Sequence, residues 1–151
     1  YCEPEIASVG LTEAKAAEQY GADKIKAYDY NLAGNGKSEI LGTSGSVKVV
    51  RVIDGPVVGV HMIGARVGEL IGEAQLVVNW EAHPEDIAPL VHGHPTQNEA
   101  LGEAFLYLAG KPLHHLVRTL STTKLSNAEA TQGEIFHEPV SQSSRSGRER
   151  H

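Results

Sequence analysis

Val47-Lys48-Val49-Val50-Arg51-Val52 and Val57-Val58-Gly59-Val60-His61-Met62 flank Asp54-Gly55-Pro56, and this stretch sets the fold class. Both runs are rich in β-branched side chains, which suit a pleated strand. Asp can bond its own backbone, Gly tolerates a positive φ and Pro pre-sets a turn φ, so the segment between them reads as a tight reversal. An antiparallel pair over 47–52 and 57–62 follows.

Upstream of the pair, Ile25, Ala27, Tyr28 and Tyr30 make Lys24 to Tyr30 compatible with another strand. Gly34-Asn35-Gly36-Lys37-Ser38 then reads as a loop. Thr12 before Glu13, Ala14, Ala16 and Ala17, with Gly21 behind them, gives a short helix its N-cap and C-cap in order. Downstream, Ala65 to Trp80 carries Val67, Leu70, Ile71, Ala74, Val77 and Val78 at three- and four-residue spacing, which predicts an amphipathic helix. Gly64, Gly68 and Gly72 leave a stripe without side chains that suits close packing on the sheet or on a partner. Pro84 to Leu90 reads as a helical turn opened by its proline, and Thr96 to Ala109 as a second amphipathic helix carrying Leu101, Ala104, Phe105 and Leu108. Read from the residues, the chain combines an antiparallel strand pair with several helices.

The chain has 151 residues, which suffices for one core. Beyond about Leu116 the sequence turns to Ser, Thr, Gln, Asn and Glu, with Phe136 almost alone as an aromatic anchor. Such a composition cannot offset an ordering cost of about 1–2 kcal/mol per residue. We therefore expect a domain over 1–116 and a flexible polar tail over 117–151. With 13 Lys and Arg against 19 Asp and Glu, the net charge of −6 argues against a nucleic-acid partner, whose phosphates need basic side chains. No apolar run approaches the roughly 20 residues of a membrane span, so neither nucleic acid nor membrane is expected. One cysteine, Cys2, allows no internal disulfide and reads as a small buried side chain, in keeping with a cytoplasmic location. The opening at Tyr1 reads as the interior of a longer protein.

Three groups of residues invite a chemical reading. Gly34 to Ser38 resembles part of a phosphate loop, but Asn31 stands where that motif needs its first glycine and no helical pattern follows Ser38. His83, His92, His94, His114 and His115 lack metal-ligand spacing, so no metal site is expected. His61 reads as a half-buried strand residue and His83 as a loop residue. The third group, His92-Gly93-His94-Pro95-Thr96-Gln97-Asn98-Glu99, is the informative one. On one continuous helix His94 and Glu99 would point about 140° apart. Pro95 instead disfavours a helical backbone at His94, so the imidazole can fold back toward the first turn. A carboxylate on one ring nitrogen fixes the tautomer and leaves the other free for proton exchange. Thr96 to Glu99 also has the spacing of a capping box, in which Glu99 reaches back to the Thr96 N–H. Both uses are open, and they coexist only if Glu99 divides its two oxygens.

Glu3-Pro4-Glu5-Ile6-Ala7-Ser8-Val9-Gly10-Leu11-Thr12-Glu13, Gly59-Val60-His61-Met62-Ile63-Gly64, Gly68-Glu69 and His92 to Ala100 resemble, in order and spacing, the C-terminal interface domain of FAD-dependent pyridine nucleotide-disulfide oxidoreductases. The resemblance runs from Tyr1 to about Leu116. The His-x-His-Pro-Thr form at His92 to Thr96 is more similar to dihydrolipoamide dehydrogenases than to glutathione or mercuric reductases. The resemblance implies an α+β fold, a mainly antiparallel sheet with flanking helices, and a homodimer in which His94 is the acid/base and Glu99 its orienting partner. The backbone at His94 and Pro95 would touch the partner subunit's FAD. It also implies a parent that oxidises the dihydrolipoyl group of a 2-oxo acid dehydrogenase complex with NAD. The glycine-rich FAD and NAD fingerprints and the redox cysteine pair are absent, so this chain alone is expected to hold neither cofactor and to be inactive. A related disulfide or mercuric reductase fragment, or a stand-alone dimerisation module, are the alternatives.

Overall fold

The hairpin forms as β3 (Ser46–Val52) and β4 (Val57–Gly64) in a computed structural model that describes residues 2–113. The tail expected over 117–151, with Phe136, and the histidines His114 and His115 lie outside the described residues. Asp54 takes the turn with φ 54°, and the Val52 amide donates to Pro56 O at 3.1 Å. The register shifts between Val50 and Arg51, so that Arg51 lies opposite Val57 while Val50 lies opposite Gly59. A side-chain period of two would separate Val57 from Val60, yet both are fully buried in the same core, because the extra residue at the shift re-aims the strand.

Two more strands complete an antiparallel sheet of order β1-β4-β3-β2. β2 (Ile25–Asn31) matches the expected strand. β1 (Glu5–Gly10) has no apolar alternation to announce it, since Ile6 points out and only Ala7 and Val9 turn toward the core. At the far end of β1, Leu11 donates to Val58 O at 2.8 Å. Gly59 is required there, because a Cβ at that position would collide with the Leu11 carbonyl.

α1 (Glu13–Tyr20) starts where Thr12 Oγ1 accepts the Lys15 N–H at 3.3 Å and stops at Gly21, φ 99°. Its Glu13 pairs with Lys48 at 2.6 Å. Lys48 alternates with Val47 and Val49, so α1 lies over the sheet face opposite the main core. That core is built against the other face by α3 (Val67–Asn79) and α5 (Glu99–Leu108), through Val67, Leu70, Ala74 and Val77 from one and Leu101, Ala104, Phe105 and Leu108 from the other. These are residues that the helical spacing picked out. α4 (Pro84–Ile87) is the short proline-led turn, with the His83 N–H donating to Asp86 Oδ2 at 2.9 Å. Arg51 is buried but fully engaged. Its guanidinium donates to Glu85 at 2.7 Å, Leu108 O at 3.2 Å and Gly55 O at 2.9 Å, and its hydrogen bond holds the Glu85 carboxyl below the usual range.

Three expectations need correction. The Gly34–Ser38 segment is not a loop throughout: Leu32–Gly34 forms a 3₁₀ turn and α2 (Gly36–Leu41) follows. Asn35 caps α2 by accepting the Ser38 N–H at 3.0 Å, which offsets the low helix propensity of Gly36 at its start. Cys2 is exposed rather than buried, because it precedes the first strand and packs under nothing. The glycine stripe divides: Gly68 leaves room for the Glu5 carboxylate, which accepts its N–H at 2.7 Å beside the start of α3, whereas Gly72 has nothing within 4 Å. Among the described residues no helix is long and apolar enough to cross a membrane.

Candidate functional site

Residues 91–98 run outside any helix, and α5 begins only at Glu99. Thr96 is thus not the helix cap that the sequence pattern suggests: its hydroxyl donates to Gly93 O at 2.6 Å and closes a turn around His94 and Pro95. The His94–Pro95 peptide bond is cis. Within this turn the two proposed uses of Glu99 coexist. Oε1 lies 2.9 Å from His94 Nδ1, and Oε2 accepts the Thr96 N–H at 2.8 Å. Burial works against the charged carboxylate, but the Thr96 amide, and then the hydrogen bond and charge of His94, hold Glu99 below its ordinary value.

His94 is 76% exposed, and its Nε2 has no hydrogen-bond partner among the described residues. In the neutral ring the Glu99 bond requires the proton on Nδ1, so Nε2 presents a lone pair to solvent. The arrangement can accept and return a proton at Nε2 while the carboxylate stabilises the imidazolium. A ring this open shields nothing by itself, so any chemistry there that excludes water needs a second surface over it. Pro95 is exposed beside it. The groove next to the ring is lined by Tyr30 and Gly36 and by the carboxylates Glu39, Glu99 and Glu103. Tyr30 itself is largely buried, and desolvation, followed by the charge of Glu103, pushes its hydroxyl up to about 12.

Sequence reasoning missed two supports of this loop. The first is an ion pair between the loop and α3: His92 Nε2 sits 2.9 and 3.1 Å from the two oxygens of Glu73, and its side chain is only 14% exposed. The ring lies on α5 at Gly102, where a Cβ would come within 2.8 Å of Nδ1. The Glu73 hydrogen bond raises the His92 pKa against the opposing effect of burial. A raised folded value means that the pair's stabilisation is complete below the ordinary imidazole value of 6.5 and is lost as pH rises through the folded value. The melting midpoint of the wild-type chain is therefore expected to exceed that of Glu73→Gln most below pH 6.5 and to converge on it at higher pH. A gap that stays constant from pH 5 to 9 would refute the pairing. The sequence carried no signal for this pair, since the partner is 19 residues away and no short motif links them.

The second support is a buried polar cluster beneath residues 96–97. Asn35 Nδ2 donates to Thr96 O at 3.1 Å, Ser38 Oγ to Gln97 Oε1 at 2.9 Å and Gln97 Nε2 to Ala65 O at 3.0 Å. The predicted site residues His94, Pro95 and Glu99 are thus brought together, whereas His61 and His83 stand elsewhere. His61 bridges Ser8 Oγ and Leu11 O at 3.1 and 2.9 Å. Among the described residues no three of His, Cys, Asp and Glu gather where they could hold a metal ion.

The profile of the pyridine nucleotide-disulphide oxidoreductase dimerisation domain matches residues 1–105. The dihydrolipoyl dehydrogenase of Rhizobium etli is 42% identical over 116 residues, covering 76% of this chain and 24% of the relative. The mitochondrial dihydrolipoyl dehydrogenase of Schizosaccharomyces pombe is 40% identical over 118 residues, covering 76% and 22%. In fold, the chain is similar to LpdA of Mycobacterium tuberculosis, with a TM-score of 0.66 and 22% identity over 72% of this chain and 24% of that one. The chain spans about a quarter of the length of these proteins.

Proposed function

This chain belongs to the dimerisation-domain family of the pyridine nucleotide-disulphide oxidoreductases, and we propose on that basis that residues 1–116 are the interface domain of a dihydrolipoyl dehydrogenase. The domain supplies His94 as acid/base and Glu99 as its orienting partner to the active site of a second subunit. The observation that carries this reading is the ring of His94, fastened at Nδ1 by Glu99 and open at Nε2 on an exposed turn. The relatives named dihydrolipoyl dehydrogenase support the choice of substrate.

In this role Nε2 takes the proton from a dihydrolipoyl thiol. The resulting thiolate attacks a disulfide held by the parent's other domains, since the thiolate and not the thiol is the nucleophile. The exposure of His94 fits a residue completed by a partner, so the parent works as a homodimer. Three carboxylates in the neighbouring groove favour a neutral dithiol over an anionic one. FAD and NAD are bound by the parent's remaining domains. The flavin supplies electron transfer between the disulfide and NAD, and the part of this chain suited to meet it is the exposed turn at His94 and Pro95.

The test is a chimera that joins this chain to the flavin- and nucleotide-binding domains of a dihydrolipoyl dehydrogenase relative. We expect a dimer with bound flavin that reduces NAD with dihydrolipoamide. A dimer that binds flavin but uses only a different disulfide or metal-ion couple would overturn the substrate assignment.

A further inference from the structure

Three of the buried polar side chains of the described residues, Asn35, Ser38 and Gln97, gather at one place, directly under the turn that carries His94. Burying polar groups is unfavourable unless each is matched, and matched networks of this kind specify one arrangement of the segments they join. Here the joined segments are the start of α2 and residues 96–97. Gly36 presents its bare backbone to the ring, with its Cβ position 3.8 Å from His94 Cε1.

We infer that Asn35 is a positioning residue for His94, acting through Thr96, with Ser38 and Gln97 holding the same platform. This rests on the reading of His94 and Glu99 as an acid/base pair. The Asn35 side chain divides its two ends between two tasks. Its oxygen caps α2 at Ser38 N, and its NH₂ donates to the carbonyl of Thr96. The Thr96 amide donates in turn to the Glu99 oxygen that is not facing His94. A donor on one side of Thr96 and an acceptor on the other fix the orientation of that residue, and through it the rotation of the Glu99 carboxylate. Capping alone needs only the oxygen, and serine or aspartate supplies one equally well. The second bond is what the amide adds. Gln97, held at both ends by Ser38 and Ala65, keeps the next peptide from sliding.

The experiment separates the two ends of Asn35. In the ¹⁵N-labelled 151-residue chain, long-range ¹H–¹⁵N spectra above the imidazole titration range read which ring nitrogen of His94 carries the proton. Wild-type chain is expected to show the Nδ1–H form that the Glu99 bond requires. Asn35→Ser keeps a capping oxygen and removes the donor to Thr96. Its melting midpoint should stay within a few degrees of wild type, while His94 shifts toward the Nε2–H form that free imidazole prefers and the His61 signals stay in place. Asn35→Asp, which retains the cap and also lacks the donor, should shift His94 in the same direction and serves if the serine variant does not fold. A folded variant with an unchanged His94 ring reduces Asn35 to a helix cap and overturns the inference. Glu99→Ala separates the two readings. If it moves the His94 tautomer while neither Asn35 variant does, only the positioning role fails; if it leaves the ring unchanged, the acid/base pairing itself fails.

Discussion

Replacing His94 with alanine in the full-length parent is expected to lower turnover of dihydrolipoamide by about 10²–10⁴-fold, the range that a positioned general base contributes. A thiol of pKa about 8.5 is only a few per cent thiolate at neutral pH. Without Nε2 to take its proton, the reaction depends on the thiolate already present in solution. That fraction rises about tenfold per pH unit below the thiol pKa, so the deficit of the variant should narrow as pH is raised. The Michaelis constant should change little, because the ring binds a proton rather than the body of the substrate. Steady-state rates of both proteins between pH 6 and 9 check this. A deficit of less than tenfold, or one independent of pH, would falsify the role of His94 as a base.

The largest expected effect on stability is at Phe105. It is fully buried in the core that α5 builds against the sheet, and it is the bulkiest of the side chains with no exposure. Truncation to alanine removes the transfer free energy of the ring and leaves a cavity that helices anchored at both ends cannot close. A loss of about 3–5 kcal/mol follows. At a urea m-value of about 1.5–2 kcal/mol/M this moves the midpoint by roughly 2 M. Leu76→Ala on the neighbouring helix is the comparison, since Leu76 is 48% exposed and its truncation should cost well under half as much. Equal costs for the two would mean that the core is not organised around α5. Because Glu99 opens the same helix, a loosened α5 should also weaken the Glu99 contact to His94.

What could be read from the sequence is what depends on neighbours along the chain. The β3–β4 pair was legible because β-branched runs and a four-residue connection sit within twenty positions. The faces of α3 and α5 were legible because burial repeats at the helical period. His94 and Glu99 lie five residues apart, so their meeting could be argued from Pro95 alone. β1 was not legible as a strand, because its pairing with β4 lies about fifty to sixty residues away and Ile6, its largest apolar side chain, faces outward. The start of α2 was misread for a related reason. Two glycines argue for a loop locally, and the bonds that favour the helix come from Asn35 and from Gln97, which is distant. The Glu73–His92 pair likewise joins two elements that no spacing rule connects.

The separations along the chain have a consequence for when the site comes into being. His94 and Glu99 can meet in a short peptide, but Asn35 to Thr96 spans 61 residues and Ser38 to Gln97 spans 59. Closing such distances costs chain entropy before any contact repays it, so these contacts are expected among the late events of folding, after the β3–β4 hairpin. A chain still being assembled, or one opened by local fluctuation at either segment, would carry the histidine and the glutamate without their platform. Proton-transfer competence at His94 would then act as a report of finished folding, absent from intermediates that already possess most of their secondary structure.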